Sequence, residues 1–165
     1  MSEEKKEENL LLRMVKPHSK VSRDVLESDI ERVTEEASIL YNLCFIPNGL
    51  TNGARAMSHP QICSDDPLRF FVTAKKELII NPIVTKNTKT TVDSKEGCAS
   101  FADRLPIIVQ RSNKIEVSFI TLMVDPDNKD KFKFSSVLTD KLSGLEAKIF
   151  SHELDHLNAI YIFNY

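Results

Sequence analysis

Apolar residues recur at alternating spacings of three and four between Val25 and Asn42. This period matches one face of an α-helix, so the segment is predicted to be an amphipathic helix. Its buried face would carry Leu26, Ile30, Val33, Ala37 and Leu40. Two Asn-Gly pairs follow, at 48–49 and 52–53, and such pairs predict a loop between this helix and the next elements.

Short apolar runs later in the chain predict strands. They cover Phe70–Thr73, Glu77–Ile80 and Lys114–Leu122. Asp125–Lys129 has the composition of a turn, and Phe132 and Phe134 would then share one face of a returning strand.

A second helix is predicted from about Gly144 to Asn158. Ser143 and Glu146 have the spacing of a capping box at its start, in which each residue satisfies a backbone N–H group of the other. Several strands followed by one central helix predict an α+β fold, with antiparallel or mixed β-sheets packed around that helix.

The domain organisation is predicted to be simple. Residues 1–9 are mostly charged and would form a solvated tail, and residues 10–165 would form a single domain. The net charge of −2 gives no bulk positive field that would attract nucleic acid or an anionic membrane.

The chain has no apolar run of membrane-spanning length and no apolar signal core near its start. Three cysteines without a staple pattern are consistent with a reducing compartment.

The second helix carries the most informative motif, His152-Glu153-Leu154-Asp155-His156. Two histidines four residues apart lie on one helix face and can bind one metal ion, with Glu153 beside them to move a proton. Most zinc proteases with this motif take a third ligand from downstream. Only residues 157–165 follow here, and none of them is His, Cys, Asp or Glu, so the third ligand is predicted to lie upstream.

Cys98 is the strongest upstream candidate, because it lies in the run Glu96-Gly97-Cys98-Ala99-Ser100. A glycine before the ligand lets the backbone approach the metal closely. A Cys–His–His set leaves a fourth position open, which is typical of catalytic rather than structural metal sites. Cys44 and Cys63 are predicted to be structural thiols.

Together these motifs resemble the peptide deformylases, which remove the formyl group from the starting methionine of new proteins. That family has three motifs, roughly G-x-G-L-A-A-x-Q, E-G-C-L-S and H-E-x-D-H. The third is complete at 152–156, and the second has only Ala99 in place of leucine. The first is altered over 54–62, where Gln61 is the clear match. The resemblance extends over about residues 10–165.

The resemblance implies an enzyme, a metal-dependent hydrolase of linear amides, and a role for each matching residue. The metal ligands would be Cys98, His152 and His156. The catalytic groups would be Glu153 as general base and then acid, with the Gln61 side chain and the Ala99 backbone N–H as donors to the developing oxyanion. Substrate-binding residues would be Met57, Gly97, Leu145 and Ile149, and Glu96 and Asp155 would support the ligands. The cofactor would be one divalent ion per chain, with Fe²⁺ expected and Zn²⁺, Ni²⁺ or Co²⁺ able to occupy the site.

Several positions depart from the family pattern. Ala54 and Ala56 replace glycines, Arg55 replaces an apolar residue, and Ser58 and His59 replace alanines. Lys148 falls where the helix usually presents an apolar residue to the methionine pocket, and Arg104 and Arg111 lie where the family also carries basic residues. These changes leave two alternatives open. One is a metal-dependent amidohydrolase or peptidase acting on another N-acyl substrate, and the other is a quiet deformylase-like module that binds nascent chains or ribosomes.

The expected partner is a formyl-methionyl nascent peptide, with a transient ribosome contact and without direct binding to nucleic acid or membrane. The chain stops soon after the second helix, which resembles short, phage-encoded or otherwise minimal members. The expected location is the cytoplasm of a bacterium, or of the host if the gene is phage-borne. The segment 127–143 is longer than in bacterial members and is predicted to be a tolerated surface hairpin or loop, with a partner-binding loop as the alternative.

Overall fold

A computed structural model describes residues 2–46 and 54–163. The loop predicted at the two Asn-Gly pairs lies outside the described residues. The described helices are α1 (Glu3–Leu11), α2 (Ile30–Cys44) and α3 (Gly144–Leu157). Short 3₁₀ turns cover Glu27–Asp29, His59–Gln61 and Ala99–Phe101. The strands are β1 (Ala56–Ser58), β2 (Phe70–Thr73), β3 (Leu78–Asn87), β4 (Thr91–Glu96), β5 (Ile107–Ser112), β6 (Lys114–Ile120), β7 (Leu122–Asp125), β8 (Asn128–Phe134) and β9 (Leu138–Ser143).

Among the described residues, the strands form one five-stranded sheet and two hairpins. The large sheet has the order β1-β2-β3-β6-β9, and the hairpins are β4–β5 and β7–β8. Neighbouring strands in all three run antiparallel. The predicted α+β fold is therefore confirmed, with antiparallel sheets and a helix that packs against the largest of them.

Helices α2 and α3 cover opposite faces of the large sheet. Alternate residues of a strand point to opposite faces. Phe70 and Val72 of β2 pack with α2, whereas Phe71 packs with α3. The ring of Phe71 meets Phe150 of α3 edge-on at 5.2 Å between centroids. This packing fixes the helix that carries the histidine motif against a rigid support.

The start of the first long helix was predicted wrongly. The α-helix begins at Ile30 and is preceded by the 3₁₀ turn. Leu26 has an extended backbone, with φ −104° and ψ 165°, so it does not follow the helical period. Its side chain is 58% exposed, and Val25 is buried instead. The prediction for Val33, Ala37 and Leu40 is confirmed, because all three are buried, whereas Ile30 at the start of the helix is half-buried.

The predicted capping box at the start of α3 is also wrong. Ser143 is the N-cap residue, but its side chain makes no capping hydrogen bond. Gly144 has φ +58°, a left-handed conformation that glycine adopts without strain. Glu146 forms an exposed ion pair with Lys75 rather than returning to the cap. The helix itself is confirmed, and it ends at Leu157.

Several strands do not appear in the predictions. The run Lys114–Leu122 divides into β6 and the start of β7, and the hairpin β4–β5 has no clear apolar alternation. Within the segment 127–143, the returning strand predicted at Phe132 and Phe134 is confirmed as β8. Strand β9 was not predicted, and it pairs with β6 as the edge strand of the large sheet. Helix α1 (Glu3–Leu11) covers most of the predicted tail and continues past residue 9. None of its residues is fully buried, but Leu10 and Leu11 pack against the core, and the division at residue 9 stays a prediction. No described helix combines the length and apolarity needed to cross a bilayer.

Candidate metal centre

Three potential metal ligands, Cys98, His152 and His156, lie close together beside helix α3. His152 and His156 lie one turn apart on α3, and their Nε2 atoms are 3.1 Å from each other. Cys98 lies between the end of β4 and the following 3₁₀ turn, and its Sγ is 3.3 Å from Nε2 of His156. The three donor atoms all lie within 4.8 Å of one another.

This arrangement fits a divalent metal ion. Tetrahedral Zn–N and Zn–S bonds imply donor separations of about 3.3 Å between two nitrogens and about 3.6 Å between nitrogen and sulfur. The two short separations here are slightly below those values, so a bound ion would need only a small outward movement of the side chains. A thiolate with two imidazoles suits a borderline ion such as Fe²⁺, Co²⁺, Ni²⁺ or Zn²⁺.

Glu96 and Arg111 hold His152 in position. Oε2 of Glu96 lies 2.8 Å from Nδ1 of His152, and Arg111 donates two hydrogen bonds of 2.9 Å to the same carboxylate. Arg111 also donates to Asp155, which lies between the two histidines in sequence. Burial raises the pKa of Glu96, but the hydrogen bonds from His152 and Arg111 outweigh it and lower that pKa to about 2. The anionic carboxylate keeps a proton on Nδ1 and directs Nε2 toward Cys98 and His156.

His156 lies deeper than His152, with 1% of its surface exposed. Its pKa is far below the ordinary value, because burial and the charge of the neighbouring His152 both disfavour the imidazolium form. Its Nδ1 atom is buried without a hydrogen-bond partner among the described residues. A neutral imidazole is the form that can bind a metal ion.

Glu153 projects into the cavity beside the three ligand candidates. Its side chain is 4% exposed, and its Oε2 atom has no hydrogen-bond partner in the described part of the chain. Burial raises its pKa to about 7, against a smaller opposing effect from His152. A carboxyl group with that pKa can both accept and release a proton near neutral pH.

Gln61 has a fixed orientation at the other side of the cavity. Its side-chain oxygen accepts hydrogen bonds from the backbone N–H of Ser58 at 2.8 Å and from the Ser58 hydroxyl at 3.2 Å. Its Nε2 donates to Oγ of Ser100 at 3.1 Å. These contacts determine which end of the carboxamide carries the donor hydrogens, and they place that end toward the cysteine motif.

Sequence reasoning assigned no site role to Ser58 or Ser100. Ser58 is fully buried, and its single hydroxyl proton can be donated either to Oε1 of Gln61 or to the Glu153 carboxylate, where the hydrogen bond lowers the pKa of Glu153. It therefore contacts both the carboxylate and the carboxamide of the candidate site. Ser100 is visible in the sequence as the last residue of the E-G-C-x-S motif, whereas Ser58 stands at a position that departs from the family pattern.

A cavity of about 390 Å³ joins these groups to solvent. Its wall includes most of the residues predicted to bind substrate or assist catalysis, namely Gln61, Gly97, Ala99, Leu145, Ile149 and Glu153. Ala99 opens a 3₁₀ turn, where backbone N–H groups have no partner within the helix. Met57 was predicted to bind substrate, but the structure places it in the core with no exposed surface.

The other cysteines and His59 lie outside this cluster. Cys44 and Cys63 are buried free thiols. His59 is fully buried; its Nδ1 accepts the Leu68 N–H at 2.7 Å, and its Nε2 therefore donates to Glu36 at 2.6 Å. Both ring nitrogens of His59 are therefore used in hydrogen bonds that link parts of the fold, and neither is available to bind a metal ion.

The sequence profile of the polypeptide deformylase family matches residues 52–165. A chloroplastic peptide deformylase 1B from rice is 26% identical over 148 residues, which cover 86% of this chain and 47% of the rice protein. A peptide deformylase from Thermotoga petrophila is 28% identical over 156 residues, which cover 93% of this chain and 79% of that protein.

The fold agrees with solved structures of the same family. The peptide deformylase of the Vibrio parahaemolyticus bacteriophage VP16T, solved in complex with actinonin, superimposes with a TM-score of 0.69 at 23% identity. The match covers 90% of this chain and 98% of the phage protein. This chain spans about half the length of the first curated relatives that it matches, at 47% and 44%. The profile match covers most of the chain, and the chain belongs to the polypeptide deformylase family.

Proposed function

We propose that this protein is a metal-dependent hydrolase that removes the N-formyl group from the formyl-methionine of nascent polypeptides. One observation carries the proposal. Cys98 and His152 of the Cys–His–His donor set line one cavity with the oriented Gln61 carboxamide and with Glu153, whose buried Oε2 atom has no hydrogen-bond partner among the described residues. Family membership supports the same reaction. Residues 10–165 would act as one catalytic domain.

Cys98, His152 and His156 would hold the ion, supported by Glu96 and, through Arg111, by Asp155. A divalent ion bound there supplies Lewis acidity and lowers the pKa of a coordinated water toward neutrality. Fe²⁺ is the ion that we expect in the cell, and the donor set is equally compatible with Zn²⁺, Ni²⁺ and Co²⁺.

Glu153 would act as the general base and then as the general acid of the reaction. Its carboxylate takes a proton from the attacking water and later delivers it to the departing amine of methionine. A pKa of about 7 suits both halves of this task, because the group is neither too weak a base nor too weak an acid at neutral pH. The low exposure of the carboxylate keeps the proton from being lost to bulk water.

Gln61 and Ala99 would stabilise the negative charge that develops on the formyl oxygen. The Gln61 carboxamide is held by Ser58 and Ser100, so its N–H groups need little reorganisation during the reaction. The Ala99 donor is a backbone N–H group, and it is therefore unaffected by the change from leucine to alanine at that position. Leu145, Ile149 and Gly97 would contact the methionine.

A second candidate is hydrolysis of another N-acyl substrate by the same groups. It is favoured by Arg55 and Lys148, which add charge to the cavity wall where the family pattern has apolar residues. We further propose a cytoplasmic location and a transient contact with the ribosome, since nascent formyl-methionyl chains are produced on ribosomes.

Deformylation of formyl-Met-Ala-Ser by anaerobically purified protein, loaded with Fe²⁺ or Ni²⁺, tests the proposal. We expect turnover that disappears with a chelator and returns when metal is added. Acetyl-Met-Ala-Ser serves as the parallel substrate. Hydrolysis of the acetyl peptide alone would favour the second candidate. Bound metal without hydrolysis of either peptide would contradict the deformylase proposal and would restrict the second candidate to acyl groups other than acetyl.

A further inference from the structure

Four basic side chains surround the cavity that leads to the candidate metal centre. Arg55 lies just before β1, Lys95 lies in β4, Arg104 follows the cysteine motif and Lys148 lies on α3. We call these four residues the basic rim. They come from four separate segments of the chain, so their convergence is visible only in the folded structure.

Two members of the basic rim have fixed positions. Nζ of Lys148 donates to the backbone carbonyl of Asp93 at 2.8 Å, which holds its charge across the gap between α3 and β4. The guanidinium of Arg104 lies over the rings of Phe101 and Phe163, at 5.5 and 5.2 Å from their centroids. Charges held in this way lose less conformational entropy on binding a ligand than freely moving side chains do.

The charge of the basic rim is not neutralised by the neighbouring protein. Within the described residues, none of its four members takes part in a salt bridge. The acidic residues that line the same cavity are Glu96 and Glu153. Glu96 is already paired with Arg111, and Glu153 lies at the buried end beside the ligand candidates. Basic side chains therefore outnumber acidic ones in the cavity lining, four to two, on a protein whose net charge is −2.

The geometry also indicates which part of a peptide would meet this charge. If the reacting amide lies beside Cys98 and Glu153, the methionine side chain lies against Leu145 and Ile149. The residues after methionine must then leave through the opening, past the half-buried Lys148 and the exposed Arg55, Lys95 and Arg104.

We propose that the site selects formylated peptides that carry a carboxylate side chain at the second or third residue. This inference rests on the proposed function and adds the substrate class. Basic groups around a cleft attract acidic ligands and raise their association rate, and the effect is screened by salt. Lys148 and Arg55 are central to it, because they replace apolar positions of the family pattern.

The test compares kcat/KM for formyl-Met-Glu-Ser and formyl-Met-Gln-Ser, and for formyl-Met-Ala-Glu and formyl-Met-Ala-Gln, all amidated at the C-terminus. The two peptides of each pair have nearly the same shape and differ by one charge. At low ionic strength we expect the acidic peptide of at least one pair to be preferred by about two- to fivefold, the upper part of the range for one exposed charge pair. The preference should decrease toward unity in 0.5 M salt, a concentration at which the Debye length is roughly 4 Å.

Variants identify the source of the preference. Lys148→Met keeps most of the side-chain length, and Arg55→Gln keeps a shorter polar side chain. Both substitutions remove the charge, so each should lower the ratio of acidic to neutral kcat/KM. Lys131→Met on β8 is the matched control, because Lys131 lies outside the cavity wall and should leave the ratio unchanged. Equal kcat/KM for both members of both pairs would overturn the inference while leaving the proposed deformylase activity intact.

Failure of the proposed function has a different signature. If no formyl peptide is hydrolysed, the same peptide pairs are titrated against the metal-loaded protein by calorimetry. Tighter binding of the acidic peptides, lost in Lys148→Met, would still support the basic rim as a binding site. Equal dissociation constants for acidic and neutral peptides would overturn it.

Discussion

At the scale of single residues, Glu153 is the group whose role is most open to a direct test. The Glu153→Ala variant should keep its metal, because the ligand candidates are unchanged, and should lose about 10²–10⁴ in kcat, the usual contribution of a general base. Metal content by elemental analysis and kcat with formyl-Met-Ala-Ser measure the two effects. Glu146→Ala on the exposed side of the same helix is the control. Undiminished turnover in Glu153→Ala would remove Glu153 from the mechanism.

Ser58 provides a second test at this scale, because it contacts the Gln61 carboxamide. The Ser58→Ala variant loses the hydroxyl bond to Gln61 but keeps the backbone bond. One neutral hydrogen bond contributes about 1 kcal/mol, so kcat should fall about fivefold with a smaller change in KM.

A double-mutant cycle separates positioning from general packing effects. If Ser58 acts through Gln61, Ser58→Ala should cost little in a Gln61→Ala background. The same loss in both backgrounds would mean that Ser58 contributes in some other way, such as through its contact with Glu153.

At the scale of elements, an ion-pair network joins the start of α2 to the loop before β2. Asp66 accepts hydrogen bonds of 2.8 Å from Arg23 and from Arg32. Arg23 also binds Asp29 with two hydrogen bonds of 2.8 and 2.9 Å. The network holds α2 against the loop that leads into the large sheet, and so supports the sheet face opposite α3.

This network predicts sensitivity to acid. The hydrogen bond from Arg23 is the main cause that lowers the pKa of Asp66 from its ordinary value to about 2. A carboxylate with a lowered pKa in the folded state stabilises the protein above its unfolded pKa, and that contribution is lost as the pH falls through about 2. Between pH 4 and pH 2, the free energy of unfolding should therefore decrease more steeply in the parent than in Asp66→Asn.

Urea unfolding at a series of pH values measures this difference in slope. The Asp130→Asn variant on β8 is the control, because Asp130 forms no salt bridge among the described residues and its slope should match the parent. Parallel curves for the parent and Asp66→Asn would show that the ion pairs do not stabilise the fold.

At the scale of the whole molecule, a metal ion would connect two segments that are distant in sequence. Cys98 follows the hairpin strand β4, whereas His152 and His156 lie on α3. An ion that binds the folded state alone stabilises it in proportion to the logarithm of its concentration. Chelation should therefore lower Tm, and added Ni²⁺ should raise it in a concentration-dependent way.

The Cys98→Ser variant should show weaker metal binding and a smaller Tm difference between the metal-loaded and chelated forms. Cys63→Ala is the control, because it also removes a buried thiol but lies outside the ligand cluster. The comparison uses the metal-dependent shift in Tm, so that any direct effect of either substitution on stability cancels. An unchanged shift in Cys98→Ser would exclude Cys98 as a ligand.

Much of the local structure could be predicted from the sequence, because it depends on short-range periodicity. The spacing of four residues places His152 and His156 on one helix face, and the run Phe70–Thr73 is confirmed as a strand. The E-G-C-x-S motif upstream of the histidine motif also identified Cys98 as the third ligand candidate. Leu26 was misplaced because a helical period was extended through residues that have an extended backbone. The hairpin β4–β5 was missed because β4 is largely polar, the apolar run of β5 is only three residues long, and the two strands depend on each other for pairing.

The sequence by itself determined the α+β class, the family resemblance and the identity of the candidate ligands, since each can be read from local periodicity or from short motifs such as those around Cys98 and His152. Tertiary structure decided what surrounds them. It placed Met57 in the core, brought Arg111 onto Glu96, and oriented Gln61 through Ser58. It also gathered four separate basic residues at one opening. The physical reason is that these contacts join elements far apart in sequence, and only chain folding decides which side chains meet there.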